Sequence, residues 1–351
     1  MRRVIPIWSR VVFVVLLPFA AYSMWDYVES RRLQSRLDAI QKLGQSVDAT
    51  SPWPEDDALR SERLYRAAAA LVSGPARSRR SLEETNRLAT AWRTSQWTPD
   101  ALAWARADVE ANREALDFVD RAADLPFSGL APGTSYNYQT ADLLHLARLL
   151  EYRTAVALSE GHPDAALASL YAEARLMRAL EAVPAAAGTA LAGFRGLSTA
   201  VSASPGSGTR ERLTRAFGDL DRDDRLKTVL ITGRAIILSS GTPAFVGLSR
   251  RTANPFVVHT LSRQLDAFSD LIAAADAPWP QRIERMNAVD RWPYGFASKS
   301  GGGSFGLRNF TKAVAVQVRD IRCARLIASP QPLTLVDPFS GRRLEPSQCH
   351  L

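Results

Sequence analysis

The sequence predicts a mainly α-helical protein, with an N-terminal transmembrane helix followed by an exported multi-helix body of αα-hairpins. Three observations carry that expectation. A basic tip leads into a long apolar run, with Arg2, Arg3 and Arg10 ahead of the uncharged stretch Val11 to Trp25. Apolar residues then recur at spacings of three and four through most of the chain, the period of a helix with one buried face. Caps and breakers fall where those periodic stretches end.

The first segment sets the compartment. Val4 to Trp25 is interrupted only by Arg10, and a run of this length can cross a hydrocarbon core of about 30 Å. Arg10 can reach back toward the headgroups, and Trp8 and Trp25 bracket the run where interfacial aromatics are expected. The side before it carries arginines and no acid, whereas Asp26 and Glu29 follow it. The positive-inside rule therefore places the N-terminus in the cytoplasm and the body in the periplasm, a single pass of a bacterial inner membrane. A cleaved signal peptide is the alternative, with Val11 to Leu17 as its apolar core and Ala21-Tyr22-Ser23 as its cleavage site. The bulky Tyr22, Met24 and Trp25 favour the uncleaved anchor. Leu33, Leu37, Ile40, Leu43 and Val47 continue at helical spacing, which predicts a helical stalk over 31–50 after a tip and anchor over 1–30.

Helix follows helix beyond the stalk. Asp57 to Ser73 is periodic and stops at Gly74-Pro75. Ser81-Leu82-Glu83-Glu84 has the form of a capping box. Thr98-Pro99-Asp100 opens a helix with a cap, a first-turn proline and an acid suited to the helix dipole, and its period runs to about Asp124. A loop with Pro126, Gly129, Pro132 and Gly133 follows. Leu143 to Leu158 then leads through Gly161-His162-Pro163-Asp164 into Ala165 to Ala174, which predicts a tight hairpin with Gly161 as left-handed cap. A small-residue helix is expected after Pro184 through Ala200. Ser204-Pro205-Gly206-Ser207-Gly208 reads as a linker between a lobe over 51–203 and a second lobe over 210–329. Residues 226–238 are apolar on most sides and read as either a buried helix or two short strands around a turn, the helix favoured by its helical neighbours. Asn254-Pro255 opens another helix, whose Leu261, Leu265, Phe268, Ile272 and Ala275 form a bundle seam. A tail over 330–351 closes the chain.

Composition narrows the function. The net charge is +8, from 44 basic and 36 acidic residues. Only Lys42, Lys227, Lys299 and Lys312 are lysines. The arginines are spread among nearly as many acids, without a basic block interleaved with aromatics, so nucleic acid is not an expected partner. Arg31, Arg32 and Arg36 are placed to attract anionic lipid. The two cysteines, Cys323 and Cys349, are expected to pair in an oxidising compartment and pin the tail to the last helix.

Catalytic signatures are missing from the sequence. There is no Gly-x-Ser-x-Gly elbow, His-Glu-x-x-His or dinucleotide fingerprint. His145, His162, His259 and His350 sit in unrelated contexts, so no metal, cofactor or small-molecule ligand is expected. The loop Trp292-Pro293-Tyr294-Gly295-Phe296 followed by Ser300 to Gly306 lacks the ending of a phosphate-binding loop. Trp292, Tyr294, Phe296 and Phe305 on it are the candidate anchors for a protein partner.

Two stretches carry resemblances. Leu335-Val336-Asp337-Pro338-Phe339-Ser340-Gly341-Arg342-Arg343-Leu344 resembles an Asp-Pro-Phe-Ser-Gly element near the C-terminus of uncharacterised bacterial single-pass, mostly helical envelope proteins. That resemblance implies an architecture and no activity, and this chain departs from it after Leu344. Gly161 with the alanines that follow is similar to one tetratricopeptide helical pair. The expected role is a membrane-anchored scaffold or accessory subunit of an envelope assembly, bound to the bilayer through residues 4–25 and to a protein partner. The alternatives are an envelope hydrolase or lyase whose acids gather only in three dimensions, and a soluble exported binding protein released by cleavage.

Overall fold

In a computed structural model the described residues are 7–43, 55–72, 82–125, 140–180, 194–204, 208–222, 226–228, 230–231, 234, 255–289 and 307–349. They are mainly helical, as the fold class predicts. Their only β-pairing is an isolated antiparallel bridge between Val336 and Arg343. The chain divides into two compact units: Met1–Ala49 with Arg234–Asp270, and Thr50–Gly233 with Leu271–Leu351.

The first unit holds α1, Ile7–Lys42, and most of α10, Pro255–Ala275. α1 runs without a break through Pro18. Beyond Trp25 it is tied to α10 by side chains. Arg36 forks onto Asp266, donating to Oδ1 and Oδ2 at 2.5 Å each. Glu29, only 3% exposed, accepts from Arg32 Nη1 at 3.0 Å and lies 3.2 Å from His259 Nδ1. The Trp25 ring sits against His259 with centroids 6.4 Å apart. Among the described residues, no helix is long and apolar enough to cross a membrane. Residues 4–6 of the expected span, and the side chains of residues 7–15, lie outside the described residues.

The second unit contains α2 (Glu55–Val72), α3 (Leu82–Thr94), α4 (Pro99–Ala111), α5 (Arg113–Ala123), α6 (Thr140–Ser159), α7 (Pro163–Leu180), α8 (Leu197–Ala203), α9 (Gly208–Leu220), α11 (Gln281–Val289) and α12 (Leu307–Ala328). One apolar core joins all of them except α11, from Tyr65 on α2 to Ala328 on α12, and α11 packs on α12. Residues on both sides of 204–208 contribute to it. The α6–α7 hairpin lies at its centre, packed by α2, α4, α5, α8 and α9. Its turn closes as the sequence predicts: Gly161 has φ +75°, its N–H donates to the Leu158 carbonyl, and His162 N–H donates to Ala157 at 2.8 Å. These are the paired bonds of a left-handed helix cap.

The expected single helix from Thr98 to Asp124 is two. Thr98 caps the first, its Oγ1 accepting from the Ala101 N–H at 3.2 Å. Asn112 ends it, with φ −113° and ψ 19°, and its side-chain amide donates to the Asp108 carbonyl at 2.8 Å. An asparagine that bonds its own backbone competes with the helix ladder, so the chain turns there. The C-terminal element is a turn. Asp337 accepts from the Phe339 N–H and the Ser340 hydroxyl, and Gly341 has φ +67°. A Cβ at Gly341 would come 2.9 Å from Pro280 Cδ, so only glycine seats this turn there. A disulfide joins Cys323 to Cys349 with their Cα atoms 5.3 Å apart, tying the tail to α12.

Candidate functional site

Two places in the second unit gather ionisable side chains, and both trace back to the α6–α7 hairpin. α7 presents Tyr171 and Arg175 outward and Glu173 inward. The outward pair lines an open cleft of 1010 Å³ formed with α9, the end of α5 and the tail beyond α12. Four arginines reach it: Arg175, Arg212, Arg215 and Arg325. Three of them are committed to internal partners. Arg175 donates to the carbonyls of Ala123 and Leu125, closing the C-terminal end of α5. Arg212 donates to Asp124 at 2.5 Å and stacks 4.3 Å from the Tyr171 ring centroid. Arg325 donates to Asp221 at 2.9 Å, and the same carboxylate takes Arg322 Nε at 2.9 Å. The Asp221 side chain is 4% exposed, so both guanidinium groups compensate a buried charge. Chemically the cleft is a set of clamps between helices, with Arg215, Glu211 and Asp219 left on its exposed rim.

The inward group is of another kind. Glu173 is completely buried and Glu151, facing it from α6, is 2% exposed. Neither carboxylate oxygen of Glu173 has a donor within hydrogen-bonding geometry. Burial first, then the nearby Glu151 carboxyl, raise the Glu173 carboxyl well above the ordinary carboxylate range. Arg195 and the backbone of Phe194 act in the opposite sense and do not reverse it. The segment that brings them is held tightly. Phe194 takes φ +44°, uncommon for a residue with a side chain, and its buried ring packs edge-on to Phe217 at 4.7 Å. Gly196 follows with φ +80°, where a Cβ would come 2.7 Å from Leu158 Cδ1. Asp320 on α12 feels the same arginine. Burial pushes its carboxyl up to about 6, against the pull of Arg319 and Arg195.

The residues singled out in the sequence do not converge on either place. Trp292, Tyr294, Phe296 and Phe305 lie outside the described residues, as do His350 and the side chains of Trp8 and Arg10. Trp25 is half-buried beside His259 in the first unit. Cys323 and Cys349 are bonded to each other. His162 is exposed at the hairpin turn. Among the described residues no group of histidine, cysteine and acidic side chains could hold a metal ion. The Glu151–Glu173 pair escapes a reading of the sequence because its members are far apart on two helices. Its one legible signal is an acid on each face that should be apolar. The chain matches no protein-family model, no curated protein and no solved structure.

Proposed function

We propose that this protein is a membrane-anchored periplasmic scaffold or accessory subunit of an envelope assembly, acting through protein–protein contacts. The observation that carries the reading is the surface of α1. Leu16, Leu17, Phe19 and Met24 are exposed by 59%, 56%, 69% and 70%, and Tyr22 and Tyr27 stand out beside them. A contiguous apolar surface on one helix is costly in water and marks contact with lipid or another protein. It continues the uncharged run that begins at Val11 and ends at Trp25, beyond which Asp26 and Glu29 and then Arg31 and Arg32 follow, the arginines placed for headgroups. A bilayer is the occupant that fits both. Residues 4–25 then form the single pass, with the N-terminus cytoplasmic and the helical body outside.

Other features support the role. The Cys323–Cys349 bond fits an oxidising compartment. The cleft spends its arginines on holding helices together, as expected of a body whose surface is its working part. The hydrolase alternative would draw on Glu151 and Glu173, but that pair does not line the cleft.

The test is crosslinking and affinity capture of the full-length protein from gently solubilised membranes, quantified against a variant lacking residues 1–25. A partner recovered at fixed stoichiometry with the full chain, and lost without the anchor, supports the reading. Recovery of the protein alone across several detergents and crosslinkers contradicts it.

A further inference from the structure

α1 beyond Trp25 and α10 are joined by two clasps whose spacing fixes the direction of both helices. Glu29 lies 3.2 Å from His259 Nδ1, and Arg36 donates to both carboxylate oxygens of Asp266 at 2.5 Å each. The clasps are seven residues apart on α1 and seven residues apart on α10. That is two helical turns, or about 10 Å of rise, on each helix. Residue numbers climb in the same sense along both, so the helices run parallel and in step. Steeply crossed helices meet at one point and do not keep two clasps at equal spacing.

This register carries the start of α10 to the membrane surface. Pro255 stands four residues before His259, and Trp25 stands four residues before Glu29. The first residue of α10 is therefore level with Trp25, where the uncharged run of α1 ends. The Trp25 ring lies against His259, with centroids 6.4 Å apart, and ties the helices near that level as well. Composition agrees with the placement. Pro255 to Ser262 contains no acid, lysine or arginine, and the first such residue on α10 is Arg263.

We propose that α10 is a second membrane-contacting element, its first turn, Pro255 to Val258, held by the two clasps in the interfacial layer of the bilayer. The proposal rests on the anchor reading, with residues 4–25 as the single pass, and names a further lipid contact within it. The headgroup layer is only about 5–8 Å deep on each side of the hydrocarbon. The Arg36–Asp266 clasp, eleven residues past Trp25 on α1, stands about 16 Å beyond it and clear of that layer. Arg36 is thus spent on orienting α10 and not on headgroups. Glu29, only 3% exposed, is likewise committed, to Arg32 and His259. The chain leaves the bilayer through α1 and returns to its surface at α10.

The test uses the full-length protein in phosphatidylethanolamine–phosphatidylglycerol vesicles, carrying one nitroxide on a cysteine that replaces Phe19, Phe256 or Ser269. The native cysteines stay bonded to each other and take no label. Collision rates with oxygen, which concentrates in lipid, and with a water-soluble nickel chelate report depth. Site 256 is expected to give an oxygen-to-nickel ratio severalfold above that of site 269, which lies about 20 Å farther along α10. Removing both clasps, with Arg36→Ala and His259→Ala together, should bring site 256 down to the ratio of site 269. Should labelling at 256 disturb the fold, Pro255→Cys carries the same comparison. A site 256 as wet as site 269, while site 19 is lipidic, overturns the proposal and leaves the anchor standing. A ratio at site 256 that ignores the loss of both clasps overturns it too. Water at both 19 and 256 overturns the anchor reading and the second contact with it.

Discussion

Asp221 shows how single residues hold this body together. Its carboxylate is shut away from water and takes one guanidinium from each of two successive turns of α12. Arg322 also donates to the Val336 carbonyl at 2.6 Å, so the same side chain fastens the tail. Removing one member of such a set strands buried charge. Asp221→Ala is therefore expected to cost about 3–5 kcal/mol in urea unfolding, whereas Arg113→Ala, at an exposed pair with Glu110, should cost under about 1 kcal/mol. Equal costs would show that the Asp221 cluster is solvated. None of this is legible in the sequence. Asp221 stands beside Arg222 and Asp223 in a polar stretch that reads as surface, and its partners lie a hundred positions away.

Elements were more legible than their joints. Gly161, Thr98 and Asp337 act locally, through left-handed geometry, a capping hydroxyl and a turn-forming carboxylate. Their roles can be read from a few neighbouring residues. The break at Asn112 was missed because apolar periodicity continues across it, while the asparagine works through its own backbone bond. Glu151 and Glu173 were missed for the opposite reason, since their meaning depends on the register between two helices. At this scale the disulfide gives a clean prediction. It closes a separation of 26 residues between α12 and the tail. Replacing both cysteines by alanine should lower unfolding stability by about 3 kcal/mol, through the added freedom of the unfolded chain. Matching urea midpoints for the oxidised protein and the double variant would refute that.

At the scale of the whole molecule the helical class followed from periodicity, which is repeated often enough to survive local errors. Leu213 and Phe217, beyond the linker composition at 204–208, share a core with Leu167 and Leu170 before it. Glycine and proline mark where a chain turns, and burial decides what it turns back onto. The exposed apolar side chains of α1 are the feature that most needs an occupant, and the account assigns them a bilayer. The direct measurement is alkaline carbonate extraction of membranes, combined with protease added to intact spheroplasts. The account predicts that the full chain stays in the carbonate pellet and that its body is digested from outside, while removal of residues 1–25 frees it. A full chain that washes into the supernatant, or a body sheltered from the protease, would contradict it.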